Sequence, residues 1–368
     1  MNSRTFVFFL AVLFLFFICF FTARVYIYGL QTGSHASKSI LISLLLLPVL
    51  YVGSLFDANT GNRLGKTVYT IVNIIAGIFF YIFLGALALG IISVGFLMAG
   101  SDVPLVIAWG VLILSLVAAG VGFIQAKEIV VTRYTVTLPN APASWHGKTA
   151  AMISDTHFGL INYKKFSNKI VNKILALKPD FVLHAGDFYD GPIVDTTPIT
   201  ESWKKLTSQM PLFYTPGNHE AYGDYTMFVD SVRAAGATVL DDKVVEYDGV
   251  QIVGVLYRDG KENPAVDEAL GALSIDPAKA TILINHPPTA FSIPEKYGVN
   301  LIVSGHTHRG QFWPLCYINH KIYGAYDYGM HKYNDMVSIT SDGIGTFGPP
   351  MRLYNKPEIV LIDFFVKR

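Results

Sequence analysis

Residues 303–313 read VSGHTHRGQFW: two histidines two positions apart between two glycines, with an arginine directly after the second. Such imidazoles could decorate a turn, pack in a core or bind a metal. The same question recurs at four earlier points, each a short apolar run ending in metal-capable side chains. TAAMIS leads to Asp155 and His157, FVLHAG to Asp187, PLFYTPG to Asn218 and His219, and TILIN to His286, before NLIVSG leads to His306 and His308. One aspartate after a strand is ordinarily a turn former or helix cap, and one histidine an ordinary surface or core residue. Turns have no use for histidine at one strand end after another, so the repetition points to a metal centre.

The candidate ligands are Asp155, Asp187, Asn218, His157, His286, His306 and His308, with no thiolate among them. Mixed oxygen and imidazole donors suit Mn, Fe, Zn, Ni or Co rather than calcium or a structural zinc. The set exceeds one tetrahedral site. It suffices for two metals about 3.5–4 Å apart sharing a carboxylate, an arrangement that activates water and clamps both oxygens of a phosphoryl displacement. If the last loop is extended, positions i and i+2 point to one side and bring His306 and His308 to one site together.

These residues need elements to position them. Runs of four to six apolar residues bounded by Gly, Pro and Asn read as buried strands. Between them, Phe166, Ile170, Ile174 and Leu177, and then Ile199, Trp203 and Leu206, keep helical spacing. The alternation predicts a layered α/β architecture. KVVEYDGVQIVGV, turning at Asp248-Gly249, predicts a hairpin and so mixed sheets. Ligands of open sheets bind beyond the carboxyl ends of the strands, so five polar strand ends converge on one edge.

In order, DTH at 155–157, GDFYD at 186–190, GNHE at 217–220, His286 and GHTH at 305–308 resemble the five blocks of the calcineurin-like metallophosphoesterase superfamily, across about Thr149 to Arg368. The resemblance implies a four-layer αββα sandwich with mixed sheets and two divalent ions, of which Mn, Zn or Fe fit best. It places Asp155, His157, Asp187 and His308 on one ion, and Asp187, Asn218, His286 and His306 on the other, with Asp187 bridging. The implied nucleophile is a metal-bound hydroxide. His219 would be the catalytic residue that hydrogen-bonds the phosphoryl oxygen and protonates the leaving group, the alternative being support from behind the ligands.

Purple acid phosphatases carry a ligand tyrosine three residues after the bridging aspartate, where this chain has Asp190. Calcineurin-type protein phosphatases continue that block with Asp-Arg-Gly, where this chain has Asp190-Gly191-Pro192. GNHEAYGD and the tail GTFGPPMR at 345–352 look most like membrane-attached bacterial phosphoesterases related to enzymes that split UDP-diacylglucosamine. That group ordinarily has glycine after the second histidine of the last block, where this chain has Arg309. Arg309 and Arg352 are candidates for contact with a substrate phosphate, against a solvated Arg309 as the alternative.

The chain has 368 residues, 52% hydrophobic and 15% charged, with a net charge of +1, too apolar for an average soluble protein. The excess is concentrated at the front. We read residues 1–126 as a transmembrane domain of about four helices, 127–148 as a linker and leading strand, and 149–368 as the metallophosphoesterase domain. The stretch 67–101 is uncharged and longer than one span of about 20 residues but shorter than two with a loop. It is counted once, as a long tilted or glycine-kinked helix, and Pro48 is expected to kink the second span. A cleaved signal peptide is the alternative for the first, although its apolar core exceeds the usual length.

With four spans, Arg4, Arg63, Lys66, Lys127 and Arg133 share a side, opposite Arg24 and Lys38. The positive-inside rule then predicts a multi-pass protein of a bacterial inner membrane with its catalytic domain in the cytoplasm. No acidic residue or histidine lies mid-span, so an anchor is expected rather than a transporter. Near-neutral charge offers no footprint for nucleic acid, and Cys19 and Cys316 imply no disulfide framework. The expected partner is a membrane lipid or lipid-linked phosphate substrate. The alternatives are a phosphodiesterase for soluble nucleotides and a non-catalytic metal-dependent binding protein.

Overall fold

A computed structural model describes residues 3–58, 63–191, 195–258 and 264–366. It divides into two compact units, residues 1–124 with 348–351, and residues 125–347 with 352–368.

The first unit holds helices α1 (Ser3–Gly29), α2 (Ser34–Ala58), α3 (Arg63–Met98) and α4 (Leu105–Gln125). Among the described residues these four are long and apolar enough to cross a membrane. The uncharged 67–98 stretch is one helix, and α3 as a whole has 36 residues. At 1.5 Å per residue that is about 54 Å, well beyond a hydrocarbon core of about 30 Å. Pro48 and the glycines of α3 lie inside continuous helices. Gly85 has a packing reason: a Cβ there would run into Ser115 Oγ and the Tyr26 hydroxyl. Small residues let membrane helices approach closely, here α1, α3 and α4.

The second unit contains strands β1 (Val130–Thr137), β2 (Thr149–Ile153), β3 (Phe181–Ala185), β4 (Leu212–Thr215), β5 (Thr238–Val239), β6 (Lys243–Tyr247), β7 (Val250–Val255), β8 (Thr281–Asn285), β9 (Leu301–Ser304), β10 (Gly329–Tyr333), β11 (Met336–Thr340) and β12 (Glu358–Phe365). They form two six-stranded mixed sheets, ordered β1-β12-β2-β3-β4-β5 and β10-β11-β9-β8-β7-β6. The hairpin turns at Asp248 and Gly249, with φ of 46° and 79°, and pairs β6 antiparallel to β7. Positive φ at both turn residues matches the right-handed twist of the flanking strands.

Strand alternation assigns each side chain to a layer. In β2, Ala150 and Met152 join Phe181, Leu183, Ile282, Ile284, Leu301 and Val303 between the two sheets. Ala151 and Ile153 face the opposite way, against Ile170, Ile174, Ile199, Trp203 and Leu206 from helices Lys164–Leu177 and Thr197–Thr207. On the far side of the second sheet, Val253, Leu283 and Ile302 pack with Val266 and Leu270 of helix Pro264–Ala272. These are the four αββα layers that the sequence led us to expect. Strands β2, β3 and β4 are parallel, as are β7, β8 and β9, so the carboxyl ends within each set lie at one edge.

Candidate metal centre

All seven candidate ligands follow the carboxyl ends of β2, β3, β4, β8 and β9. The chain leaves three of these strands abruptly. Asp155, His157, Asp187, His306 and His308 have φ of 54°, 46°, 54°, 70° and 45°, the left-handed region that costs an L-residue about 1–2 kcal/mol. Neighbouring backbone holds them there: Asp155 N donates to Gly186 O at 3.0 Å and His157 N to Asp187 O at 3.1 Å. Strain of this kind collects at functional sites, where the surrounding structure over-determines it. It also corrects one expectation. The His306–His308 segment is not extended, because Thr307 is helical at φ −76° and ψ −27°, and the two imidazoles part into different clusters.

In the first cluster, His157 Nε2 lies 2.9 Å from His308 Nε2, which lies 3.3 Å from Asp155 Oδ1. In the second, His286 Nε2 lies 3.1 Å from Asp187 Oδ2, 3.0 Å from Asn218 Oδ1 and 3.2 Å from His306 Nδ1. Asn218 Oδ1 is also 2.9 Å from His306 Nδ1. Asp187 stands between the clusters, with its Oδ2 3.9 Å from His157 Nε2. Two glycines make this crowding possible: a Cβ at Gly186 would strike His286, and one at Gly217 would strike Asp187.

Burial alone would raise both carboxyl pKa values. For Asp155 it is outweighed by the surrounding imidazoles, His308 first, and for Asp187 by His286 first, so both sit well below the usual carboxylate range. Burial keeps His308 down at about 4 despite Asp155. Ionised carboxylates and a neutral imidazole are the protonation states that bind metal. The converging N and O donors fit a divalent cation: Asp155, His157 and His308 offer one set, Asp187, His286 and His306 another, and His157, Asp187 and His219 also converge between them.

His219 Nε2 lies 4.0 Å from Asp187 Oδ2, and its side chain is 25% exposed. Its Nδ1 is 2.7 Å from Asp190 Oδ1. Burial pulls the imidazole pKa down, but the Asp190 hydrogen bond and the charges of Asp187 and Asp190 outweigh it and lift it to about 9. Sequence reasoning used Asp190 only to separate families and missed this contact. The signal was present, as the second aspartate of GDFYD. Glu220 was missed as well: fully buried, it accepts from Gly217 N at 2.7 Å, Tyr189 N at 2.8 Å and Asp187 N at 3.1 Å. One carboxylate thereby ties the GDFYD loop to the GNHE loop.

Arg352 does not serve as expected. It is fully buried, and its Nε donates to Gly345 O at 3.1 Å, Nη1 to Asp342 O at 2.9 Å, and Nη2 to Gly343 O and His308 Nδ1 at 3.2 Å each. A guanidinium whose donors are spent this way has no fork left for a substrate phosphate. It positions His308 instead. Arg309 points elsewhere, its guanidinium carbon 4.4 Å from the Tyr328 ring centre and 4.7 Å from that of Tyr354.

Residues 149–310 match the family model described as calcineurin-like phosphoesterase. A protein of Aquifex aeolicus described as an uncharacterized metallophosphoesterase is 30% identical over 237 residues, covering 63% of this chain and 90% of that one. The chain belongs to the calcineurin-like phosphoesterase family. Another member, from Helicobacter pylori strain J99, is 30% identical over 222 residues, which cover 59% of each chain. The chain therefore spans about three fifths of that relative's length. A Danio rerio relative described as a transmembrane protein with metallophosphoesterase domain is 25% identical over 273 residues, 68% of this chain and 61% of its own.

Proposed function

We propose that the protein is a membrane-anchored, metal-dependent phosphoester hydrolase that holds two divalent ions and cleaves a phosphodiester or pyrophosphate bond in a lipid-linked substrate. The observation that carries this reading is the pair of donor clusters on either side of Asp187, with His219 next to them. Asp155, His157 and His308 would hold one ion, and Asn218, His286 and His306 the other, with Asp187 shared. Mn, Zn and Fe suit that donor set. When bound, such ions neutralise charge on a phosphoryl group and acidify water. The chain's own residues do the rest. Asp190 accepts the Nδ1 proton of His219 and leaves Nε2 turned toward the cluster, placed to give a proton to a departing oxygen.

The lipid part of the proposal is supported by the tether. Only residues 126–129 separate α4 from β1, a reach of at most about 14 Å, so helices that crossed a bilayer would keep the attached domain within reach of it. The excess of Lys66, Lys127 and Arg133 over Arg24 and Lys38 supports the cytoplasmic side of a bacterial inner membrane. The test is turnover by the purified full chain loaded with Mn, Zn or Fe, on a panel of phospholipids, acylated UDP-sugars and soluble nucleotides. Hydrolysis of a lipid-linked phosphodiester or pyrophosphate is expected. Hydrolysis confined to nucleotides would reject the lipid substrate, and none with any metal would reject the enzyme.

A further inference from the structure

Beyond His308 the loop continues into a second recess, of about 450 Å³, whose wall includes Arg309, Tyr317, His320, Tyr328 and Tyr354. Arg309 is clamped. Tyr328 and Tyr354 flank its guanidinium, and Nη2 donates to the Tyr354 hydroxyl at 3.1 Å. Aromatic faces attract the cation and fix its plane but leave the edge of the fork, where the N–H groups point. Among the described residues no carboxylate pairs with that edge. Its backbone is itself left-handed, at φ 45° and ψ 35°, a conformation that costs an L-residue about 1–2 kcal/mol and that glycine would adopt freely.

Other polar groups of the recess have partners of their own. Asp327, whose side chain is 12% exposed, has its carboxylate 3.3 Å from His320 Nδ1, and His331 Nε2 lies 2.9 Å from Tyr328 O. Arg309 thus brings an oriented guanidinium, unpaired with any carboxylate among the described residues, to the wall of this recess. Planar forks of this kind bind phosphate and carboxylate oxygens two at a time. Helix Leu315–Tyr323, which contributes Tyr317 and His320 to the wall, also exposes Ile318 and Ile322, apolar surface suited to the rest of an amphiphile.

We infer that this recess is a second anion subsite, distinct from the metal centre, in which the Arg309 fork binds a phosphate carried by the substrate or by a neighbouring lipid headgroup. The inference rests on the proposed function for the identity of the anion, but its test reads binding without turnover, so the two fail separately.

The full chain is placed in phosphatidylcholine nanodiscs and stripped of metal with EDTA. Inorganic phosphate binding is followed by phosphorus NMR line broadening, and phosphatidic acid added to the discs is followed by thermal shift. Arg309→Gly, which relieves the backbone strain and so keeps the fold, is expected to weaken binding at least about tenfold. Arg309→Lys, a point charge without the fork, is expected to fall between. A loss seen with phosphatidic acid alone assigns the site to a headgroup, and a loss with inorganic phosphate alone to a soluble or substrate phosphate. Arg309→Gly binding both probes as tightly as the wild type, or a wild type that binds neither, would overturn the inference.

Discussion

Asp190→Asn separates proton donation from metal binding. Asp190 holds His219 Nδ1 at 2.7 Å through one oxygen and lies 3.5 Å from His157 Nδ1 through the other, so it touches both the proposed acid and a proposed metal ligand. Asparagine keeps the shape and can still accept from Nδ1, but it removes the negative charge. A hydrogen bond to a charged group contributes about 1.5–3 kcal/mol. With the two side chains 25% and 21% exposed, the lower half of that range applies, about 10- to 40-fold in rate at 1.36 kcal/mol per decade. That loss should appear in kcat for a phosphodiester with an alkyl leaving group, which needs a proton. It should shrink to less than about threefold for a p-nitrophenyl ester, which leaves without one. Both substrates are assayed at saturating metal, with metal content measured on the same samples. Equal losses on both substrates, or activity restored by added metal, would refute the assignment and show that Asp190 works through His157.

His184 is fully buried, and burial holds its pKa down at about 3. A base depressed in the fold loses its stabilising contribution as pH falls below the unfolded value of about 6.5, because only the unfolded chain takes up the proton. Between pH 7 and pH 5 that is about 2 kcal/mol, so His184→Leu should lose that much less stability than the wild type across this window in urea melts, and parallel losses would refute the argument. Arg352→Met should cost at least about 3 kcal/mol, since it strands the carbonyls of residues 342, 343 and 345 at about 1–3 kcal/mol for each buried acceptor left unpaired, and thermal unfolding near the wild-type midpoint would contradict this. Gly217→Ala pushes a methyl group into Asp187 and should weaken metal binding about 10- to 100-fold in chelator competition. Unchanged affinity would show that the loop gives way.

The layers and the convergence of the candidate ligands were legible in the sequence for one reason. The feature that makes strands β2, β3, β4, β8 and β9, an apolar run, stops abruptly at the candidate ligands. Period-two burial then fixes Ala150 and Met152 on one face and Ala151 and Ile153 on the other. What stayed hidden were contacts between segments far apart in the chain. Asp190 reaches His219 across 29 positions and Arg352 reaches His308 across 44, and no local pattern records either. Arg352 misled in particular because a lone arginine near a catalytic loop has the same type and spacing whether it faces substrate or carbonyls. Burial decides between the two, and burial of one long polar side chain has no period.

The backbone of the last loop was hidden for a different reason. Left-handed residues are read from sequence as glycine or asparagine, yet here the candidate ligands themselves, Asp155, His157, Asp187, His306 and His308, adopt positive φ. At about 1–2 kcal/mol each, five such residues would cost roughly as much as a small domain's entire stability, so something must offset the strain locally. The structure shows what does. Glu220 accepts three backbone N–H groups from the neighbouring loops, His306 N donates to both Asp155 oxygens at 3.1 Å, and Arg352 binds the carbonyls behind His308. Bound cations would add to this, because they favour only the conformation in which all the ligands converge. Metal-loaded protein should therefore melt higher than stripped protein, and the gain should shrink in Glu220→Gln, whose loops are no longer held in place for the metal. A gain as large in that variant as in the wild type would mean that the backbone, not Glu220, keeps the ligands in place.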